Sequence, residues 1–475
     1  MTTHCFINGV DVPASTTYVN IDPSTGKVLG DVARGSVVET SFAVASAREA
    51  QIGWAATSTV RRADALDNFS RLIRTHIDEL SLLESEDTGK PISQARNDVN
   101  VCARYFQFYS RAIESFYGYQ IPLDPQYQAV TTREPFGVIA HILAWNYPLQ
   151  LFARAVAPAI ATGNAVVVKP ADETPRTAVR LAQLAVEAGI PAGVINVVTG
   201  IGTEAGAALS AQEGIDHIGF VGSTEVGKAI AAAAAQQLIP VILELGGKSP
   251  HIVFADADLD EVVPTAVRTI IQNAGQTCSA GSRLIVDRRV HEEVVSRIAA
   301  EMEKVRIGPG REDPDLGPLI SQKQLARVEN YVAGASGKVL TGGHAVVGEA
   351  GGFYYSPTLI DNVDPFSPIA QEEIFGPVLV AMPFDTTLEA IELANSTEYG
   401  LIAAVWTQNI DIAYRVSQGV HVGQVFVNNF GAGGGVELPF GGFKHSGYGR
   451  EKGLEALFAT TQTKTTIFKV GALGG

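Results

Sequence analysis

The chain has 475 residues, 46% hydrophobic and 18% charged, a composition that suits a compact folded protein and excludes a disordered one. Lys plus Arg number 35 and Asp plus Glu 50, and the net charge of −15 argues against nucleic acid or an anionic membrane as partner. Three cysteines, Cys5, Cys102 and Cys278, are too few and odd in number for a disulfide framework, so a reducing compartment is expected.

The start, Met1-Thr-Thr-His-Cys-Phe-Ile, has no basic stretch followed by an apolar run, so no signal peptide is expected and the cytoplasm is the expected location. The N-terminal part reads as helical. Over 59–86, Leu66, Phe69, Ile73, Ile77, Leu80 and Leu83 recur at three- and four-residue steps and predict one amphipathic helix. Segments 36–55 and 93–115 predict similar helices, the second placing Cys102 in the core; Gly and Pro break the pattern over 118–125. From Val138 onward short β-branched runs alternate with helical runs. Strands are predicted over 165–169, 194–198, 216–221 and 241–244, and helices over 175–188, 203–210 and 224–237. Such units imply a parallel sheet covered on both faces, an α/β fold whose ligands bind beyond the carboxyl ends of the strands. The most apolar stretch, 138–168, is interrupted by His141, Asn146, Pro148, Arg154 and Pro158 and does not read as a membrane span. A second α/β series follows, with strands over 252–255 and 283–286 and helices over 259–273 and 291–305. The β-type run 461–470 is too isolated to form a sheet alone and must pair elsewhere in the chain or in another subunit.

Cys278 lies in Asn273-Ala-Gly-Gln-Thr-Cys-Ser-Ala-Gly-Ser-Arg283, bracketed by Gly275 and Gly281 among small polar neighbours. It reads either as core or as a nucleophile, which must be reachable and carry a lowered pKa. Glu244 ends an apolar strand and precedes Gly246-Gly247. It is either a structural ion pair or loop cap, or a general base whose pKa burial raises. Asn146, between a strand and a helix, is a turn residue or an oxyanion donor acting with the Cys278 backbone N–H. Gly200-Ile-Gly202-Thr-Glu-Ala-Gly206 misses the dinucleotide spacing by one residue, and Gly222-Ser223 opens a helix whose N–H groups suit a phosphate. Lys169, at a strand end, is solvated or reaches a ribose or phosphate.

Taken in order, Trp145-Asn-Tyr-Pro148, Lys169-Pro170, Phe220 to Gly227, Glu244-Leu-Gly-Gly-Lys248, Gly275-Gln-Thr-Cys278, Glu372-Glu-Ile-Phe-Gly-Pro377 and Pro439-Phe-Gly-Gly-Phe-Lys444 span nearly the whole chain. This set resembles the NAD(P)-dependent aldehyde dehydrogenase superfamily. The resemblance implies two Rossmann-like parallel-sheet α/β domains and a small β oligomerisation hairpin. It places a nucleotide-binding domain at 1–115 and 135–246, a catalytic domain at 247–446 and an oligomerisation element at 116–134 and 460–475. Homodimers or homotetramers are implied, with 461–470 joining a neighbour's sheet.

By position, Cys278 would be the nucleophile, Glu244 the base and Asn146 the oxyanion donor. Gly222 and Ser223 would lie at the pyrophosphate and Lys169 at the adenosine ribose. Glu373 would hold the nicotinamide ribose, with Phe375 and Trp145 also at the cofactor, and Glu451 would relay protons from the base. The implied reaction oxidises an aldehyde through a cysteine thioester that glutamate-activated water hydrolyses, with no metal. Asp172 stands where many NAD-preferring members have Glu; its carboxylate repels a 2′-phosphate and favours NAD, while its shorter reach leaves NADP open. Arg154 replaces a tunnel aromatic and Ala155 a frequent lysine, so Arg154 is either a substrate-carboxylate partner or half of a salt bridge. Gly434 replaces another tunnel aromatic, and with Tyr147 it suggests a wide pocket. The substrate is thus a carboxylate-bearing semialdehyde or a hydrophobic or aromatic aldehyde. Within the fold, a coenzyme-A-acylating enzyme tends to lack the base, and a non-enzymatic scaffold protein would not need Cys278, Glu244 and Asn146 intact.

Overall fold

The computed structural model describes residues 2–347, 351–431 and 435–470. Two open α/β sheets dominate it. The first has eight strands in the order Gly447–Tyr448, Val241–Glu244, His217–Val221, Val138–Ile142, Ala165–Lys169, Ile195–Val197, Cys5–Ile7 and Val10–Val12. Its five central strands run parallel. Strand Ala165–Lys169 shows why a continuous apolar run is needed. Val166 and Val168 face one core while Ala165 and Val167 face the other, because side chains alternate across a strand and helices cover both faces.

Chain order reverses between Val138–Ile142 and its neighbour His217–Val221, since the intervening strands continue outward on the other side. Such a switch point leaves a crevice beyond the strand ends. Asn146 follows the first of these strands and Ser223 the second. The second sheet has seven strands in the order Lys338–Thr341, Thr358–Asp361, Val378–Phe384, Gly281–Asp287, Ser249–Val253, Ile402–Trp406 and Gln424–Val427. All its pairings are parallel except that of the Lys338–Thr341 edge strand.

Several elements depart from the sequence expectations. Five short strands precede the first helix, Val37–Ala56, where helical texture was expected throughout. Two of them are joined by a tight hairpin: Asn8 (φ 51°) and Gly9 (φ 80°) both adopt left-handed backbone between Ile7 and Val10, the behaviour of an Asn-Gly turn. The helix expected over 59–86 is two, Thr59–Thr75 and Ile77–Thr88. His76 ends one and starts the other, its Nδ1 2.7 Å from Glu79 Oε2, and neither Gly nor Pro marks the break. The 203–210 helix opens with a wide π-type turn, Gly202–Gly206. The strand expected over 252–255 starts earlier, as Ser249–Val253, with a register irregularity at Ser249/Pro250.

The final run forms strand Thr461–Lys469, which pairs antiparallel with Tyr127–Pro135 of the same chain. Together with Gln120–Ile121 they make a three-stranded sheet of which Thr461–Lys469 is an outer edge. Cys102 and Cys5 are fully buried, the first on helix Ile92–Ala112 and the second on a strand. No helix among the described residues is long and apolar enough to cross a membrane.

Candidate active site

Three consecutive left-handed residues aim the cysteine loop. Asn273 (φ 48°), Ala274 (φ 55°) and Gly275 (φ 71°) turn the chain sharply after helix Leu259–Ile271. A Cβ on Gly275 would lie 2.1 Å from the Gly376 carbonyl oxygen, so only glycine fits. Gln276 then anchors the loop, receiving the Ile320 N–H at 2.8 Å and donating to the Asn273 carbonyl at 3.0 Å. Thr277 Oγ1 is 2.9 Å from the Tyr147 hydroxyl.

Cys278 comes next, half-buried in the wall of a cavity of about 880 Å³. Asn146, Glu244, Trp145, Tyr147, Arg154, Gly222, Ser223, Glu373 and Phe375 share that wall. Burial pushes the Cys278 thiol up to about 11, and Glu244 and Glu373 add to the rise against the attraction of Arg154 and Lys452. A lowered thiol pKa was the expectation for a nucleophile; in this structure the thiol is held protonated instead.

Glu244 is buried at the end of strand Val241–Glu244, and neither carboxylate oxygen has a hydrogen-bond partner. Its pKa is raised by burial first and then by repulsion from Glu451, with Arg154, Arg450 and Lys452 opposing. A Cβ on Gly441 would lie 2.9 Å from Glu244 Oε1, so a side chain there would crowd the carboxylate. The backbone of the same strand end ties into the phosphate-type turn: the Gly222 N–H donates to the Glu244 carbonyl at 3.1 Å. Ser223 caps helix Thr224–Gln237 by accepting the Val226 N–H at 3.3 Å.

Asn146 Nδ2 donates to the Gln276 carbonyl at 3.0 Å, and its Oδ1 is buried without a partner. A primary amide has two N–H donors, so one remains for an oxyanion. Across the cavity, Glu373 Oε1 accepts the Gly247 N–H at 3.0 Å, and burial pushes its carboxyl up to about 7. A Cβ on Gly246 would lie 2.5 Å from Glu373 Oε2, so that glycine makes room for the carboxylate. Phe375 (φ 62°) meets Trp145 edge to face at 5.2 Å between centroids.

Lys169 and Asp172 pair with each other, and Asp172 Oδ2 also accepts the Gly202 N–H at 3.1 Å. They sit at the next strand end rather than in the wall that holds Cys278. The near-miss glycine motif therefore contributes a backbone donor to Asp172. Gly434 lies outside the described residues.

Arg154, on helix Pro148–Ala161, forms a buried ion pair with Glu451 and lies 5.1 Å from the centre of the Phe440 ring. Of the two readings left open for it, the ion pair is the one present. Attraction to Glu451 and Glu244 outweighs the burial penalty and holds the guanidinium charged. Arg154→Ala would strand the Glu451 carboxylate beside Glu244. Loss of one partner from a buried pair typically costs about 3–5 kcal/mol, so the variant should unfold at clearly lower denaturant; an unchanged midpoint would contradict the pair.

Some wall residues carry no recognisable signal in the sequence. Phe426 lies on strand Gln424–Val427, Phe430 just after it, and Leu438 beside the Pro439–Lys444 stretch that brings Phe440 to the same wall. Lys452 was signalled only by adjacency to Glu451; its ammonium lies 4.7 Å from the Phe440 ring centre, and burial lowers its pKa to about 8.

The aldehyde dehydrogenase family model covers residues 11–466. The mitochondrial aldehyde dehydrogenase family 2 member B4 of Arabidopsis thaliana is 42% identical over 98% of this chain and 88% of its own length. A solved structure of AldA, the indole-3-acetaldehyde dehydrogenase of P. syringae, as a mutant with NAD+ and IAA, superposes with a TM-score of 0.96. It is 39% identical, covering 98% of this chain and 96% of that one. The NAD-dependent aldehyde dehydrogenase of Sinorhizobium meliloti gives a TM-score of 0.96 at 37% identity, over 100% of this chain and 96% of the other. With agreement from end to end in sequence and in fold, the chain belongs to the aldehyde dehydrogenase family.

Proposed function

We propose that this aldehyde dehydrogenase oxidises a hydrophobic or aromatic aldehyde to its acid with NAD, through a thioester on Cys278. One observation carries the reading: Cys278, Asn146 and Glu244, from three separate segments of the chain, line a single cavity with the residues suited to a dinucleotide. The chain fits that cofactor. Gly222 and Ser223 open a helix at the sheet's switch point, where N–H groups favour pyrophosphate. Glu373 is a half-buried carboxylate suited to ribose hydroxyls, Phe375 and Trp145 share its cavity wall, and the Lys169–Asp172 pair suits the adenosine ribose. The Asp172 carboxylate would repel a 2′-phosphate, which supports NAD over NADP.

When bound, NAD accepts the hydride that leaves the aldehyde carbon. The protein residues do the rest. Cys278 gives up its S–H proton to solvent and the thiolate sulfur adds to the carbonyl carbon, leaving the oxygen as alkoxide. The remaining Asn146 N–H and the Cys278 backbone N–H donate to the alkoxide as charge develops. Once the thioester exists, Glu244 takes a proton from water, hydroxide equivalent adds to the acyl carbon, and the thiolate leaves. The raised pKa of Glu244 makes it a stronger base than a solvent-exposed glutamate. Glu451, whose charge acts on Glu244, would pass the proton onward.

The substrate class rests on Arg154. Its charge is engaged by Glu451 and its plane by Phe440, while Phe426, Phe430 and Tyr147 supply apolar wall. Comparing kcat/KM for benzaldehyde and succinic semialdehyde tests this. Benzaldehyde should be preferred in the wild type and in a folded Arg154→Lys variant. A semialdehyde preference that this substitution removes would restore Arg154 as a substrate ligand.

The reading also assigns 1–115 and 135–246 to nucleotide binding, 247–446 to catalysis, and 116–134 with 460–475 to oligomerisation. Exposed Tyr117, Tyr119, Ile121, Tyr127, Ile467 and Phe468 support a homodimer or homotetramer assembled through that last element. The free cysteines support a cytoplasmic or other reducing setting.

A further inference from the structure

A buried ammonium lies beneath the junction of the oxyanion loop and the cysteine loop. Lys90 follows helix Ile77–Thr88, and its side chain has no exposure. Nζ donates to Glu84 Oε1 at 3.1 Å, to Asp98 Oδ2 at 2.6 Å and to the backbone carbonyl of Asn146 at 3.0 Å. It also lies 4.3 Å from the centre of the Tyr147 ring.

As a stabiliser this cluster is poor value: three charged groups lose their hydration, and apolar residues of similar volume often hold helices as well. Its connections run toward the chemistry instead. The Asn146 carbonyl that Lys90 holds also accepts Asn273 Nδ2 at 2.8 Å, and the same Nδ2 reaches the Gln276 carbonyl at 3.2 Å. Asp98 extends the brace by accepting Gln150 Nε2 at 2.6 Å, and Glu84 Oε2 accepts the Leu149 N–H at 3.4 Å. The peptide that carries the Asn146 side chain is thereby fixed from below by Lys90 and laterally to the cysteine loop.

We propose that Lys90 is a positioning residue for acylation: by holding the Asn146 carbonyl it aims the Asn146 amide at the oxyanion that forms over Cys278. This rests on the oxyanion role proposed above for Asn146. Lys90 touches neither substrate nor cofactor and acts only through that loop. A rigid brace of this kind matters because small misplacements of a catalytic group are costly in rate.

The test is the rapid-mixing burst of NADH in the presence of saturating NAD and benzaldehyde, for wild type, Lys90→Met, Asn146→Ala and the double variant. Lys90→Met should slow the burst by on the order of 10- to 100-fold, leave the Kd for NAD unchanged, and add nothing in the Asn146→Ala background. Because Lys90→Met strands two carboxylates, the neutral triple variant Glu84→Gln, Lys90→Met, Asp98→Asn is run beside it and should show the same slowing at wild-type thermal stability. A wild-type burst in the triple variant, or effects of Lys90→Met and Asn146→Ala that multiply, would overturn the role of Lys90 while leaving that of Asn146 standing. If Asn146→Ala alone bursts like wild type, the oxyanion reading itself falls, and Lys90 with it.

Discussion

Replacing Cys278 with alanine is expected to abolish aldehyde-dependent NADH formation, with kcat falling by at least ~10⁴-fold. No other cysteine can take over, because Cys5 and Cys102 are fully buried away from the cavity. Removing one half-buried sulfur leaves the loop anchors of Gln276 and Thr277 untouched, so the melting temperature should stay within a degree or two. Mass spectrometry under turnover gives the complementary result: an acyl adduct on the Cys278 peptide of the wild type and none on the variant. Retained turnover in Cys278→Ala would end the thioester account. The thiol's pKa of about 11 sets the direction of the pH effect. Acylation that depends on free thiolate should accelerate with rising pH across the neutral and mildly alkaline range, since the reactive fraction is still growing there.

Glu244→Gln should divide the reaction in two. One equivalent of NADH forms in a burst, after which turnover stalls, with deacylation slowed by roughly 10²- to 10⁴-fold. The acyl-enzyme should then persist long enough to be isolated. Stability should hold or rise, because the substitution removes a buried carboxylate whose oxygens lack hydrogen-bond partners. In the wild type only the ionised Glu244 can take a proton. Its folded-state pKa lies above the ordinary carboxylate range, so deacylation should fall as pH drops through that raised value. The variant should lose this limb of the profile. Steady turnover in Glu244→Gln, with the acidic limb intact, would assign the base elsewhere.

Cys278, Glu244 and Asn146 stood out as candidates in the sequence because Asn146 follows an apolar strand, Glu244 ends one and Cys278 lies in a glycine-bracketed segment. Strand Val241–Glu244 and helix Thr224–Gln237 have the boundaries that periodicity predicts. The β-branched core strands were equally plain, since burial on both faces demands unbroken apolar runs. What escaped was either a local turn signal overridden by surrounding texture or a contact between distant segments. Asn8-Gly9 makes a hairpin inside a stretch that reads as helical. The His76 break leaves the apolar stripe intact on both sides, so periodicity passes over it. Lys90, Glu84 and Asp98 look like the polar face of two helices, and only packing reveals that helix and loop enclose them completely. Arg154 was recognisable as unusual, but its partner lies nearly three hundred positions away at Glu451.

The pairing of Gly447–Tyr448 with Val241–Glu244 sets an order on biosynthesis. Everything that builds the second sheet, from Ser249 to Val427, must leave the ribosome before strand Val241–Glu244 acquires its outer neighbour. Until then its backbone edge is open to any passing strand, a hazard for nascent chains. A polypeptide that stopped before Gly447 would contain the Cys278 loop but leave strand Val241–Glu244 without that neighbour.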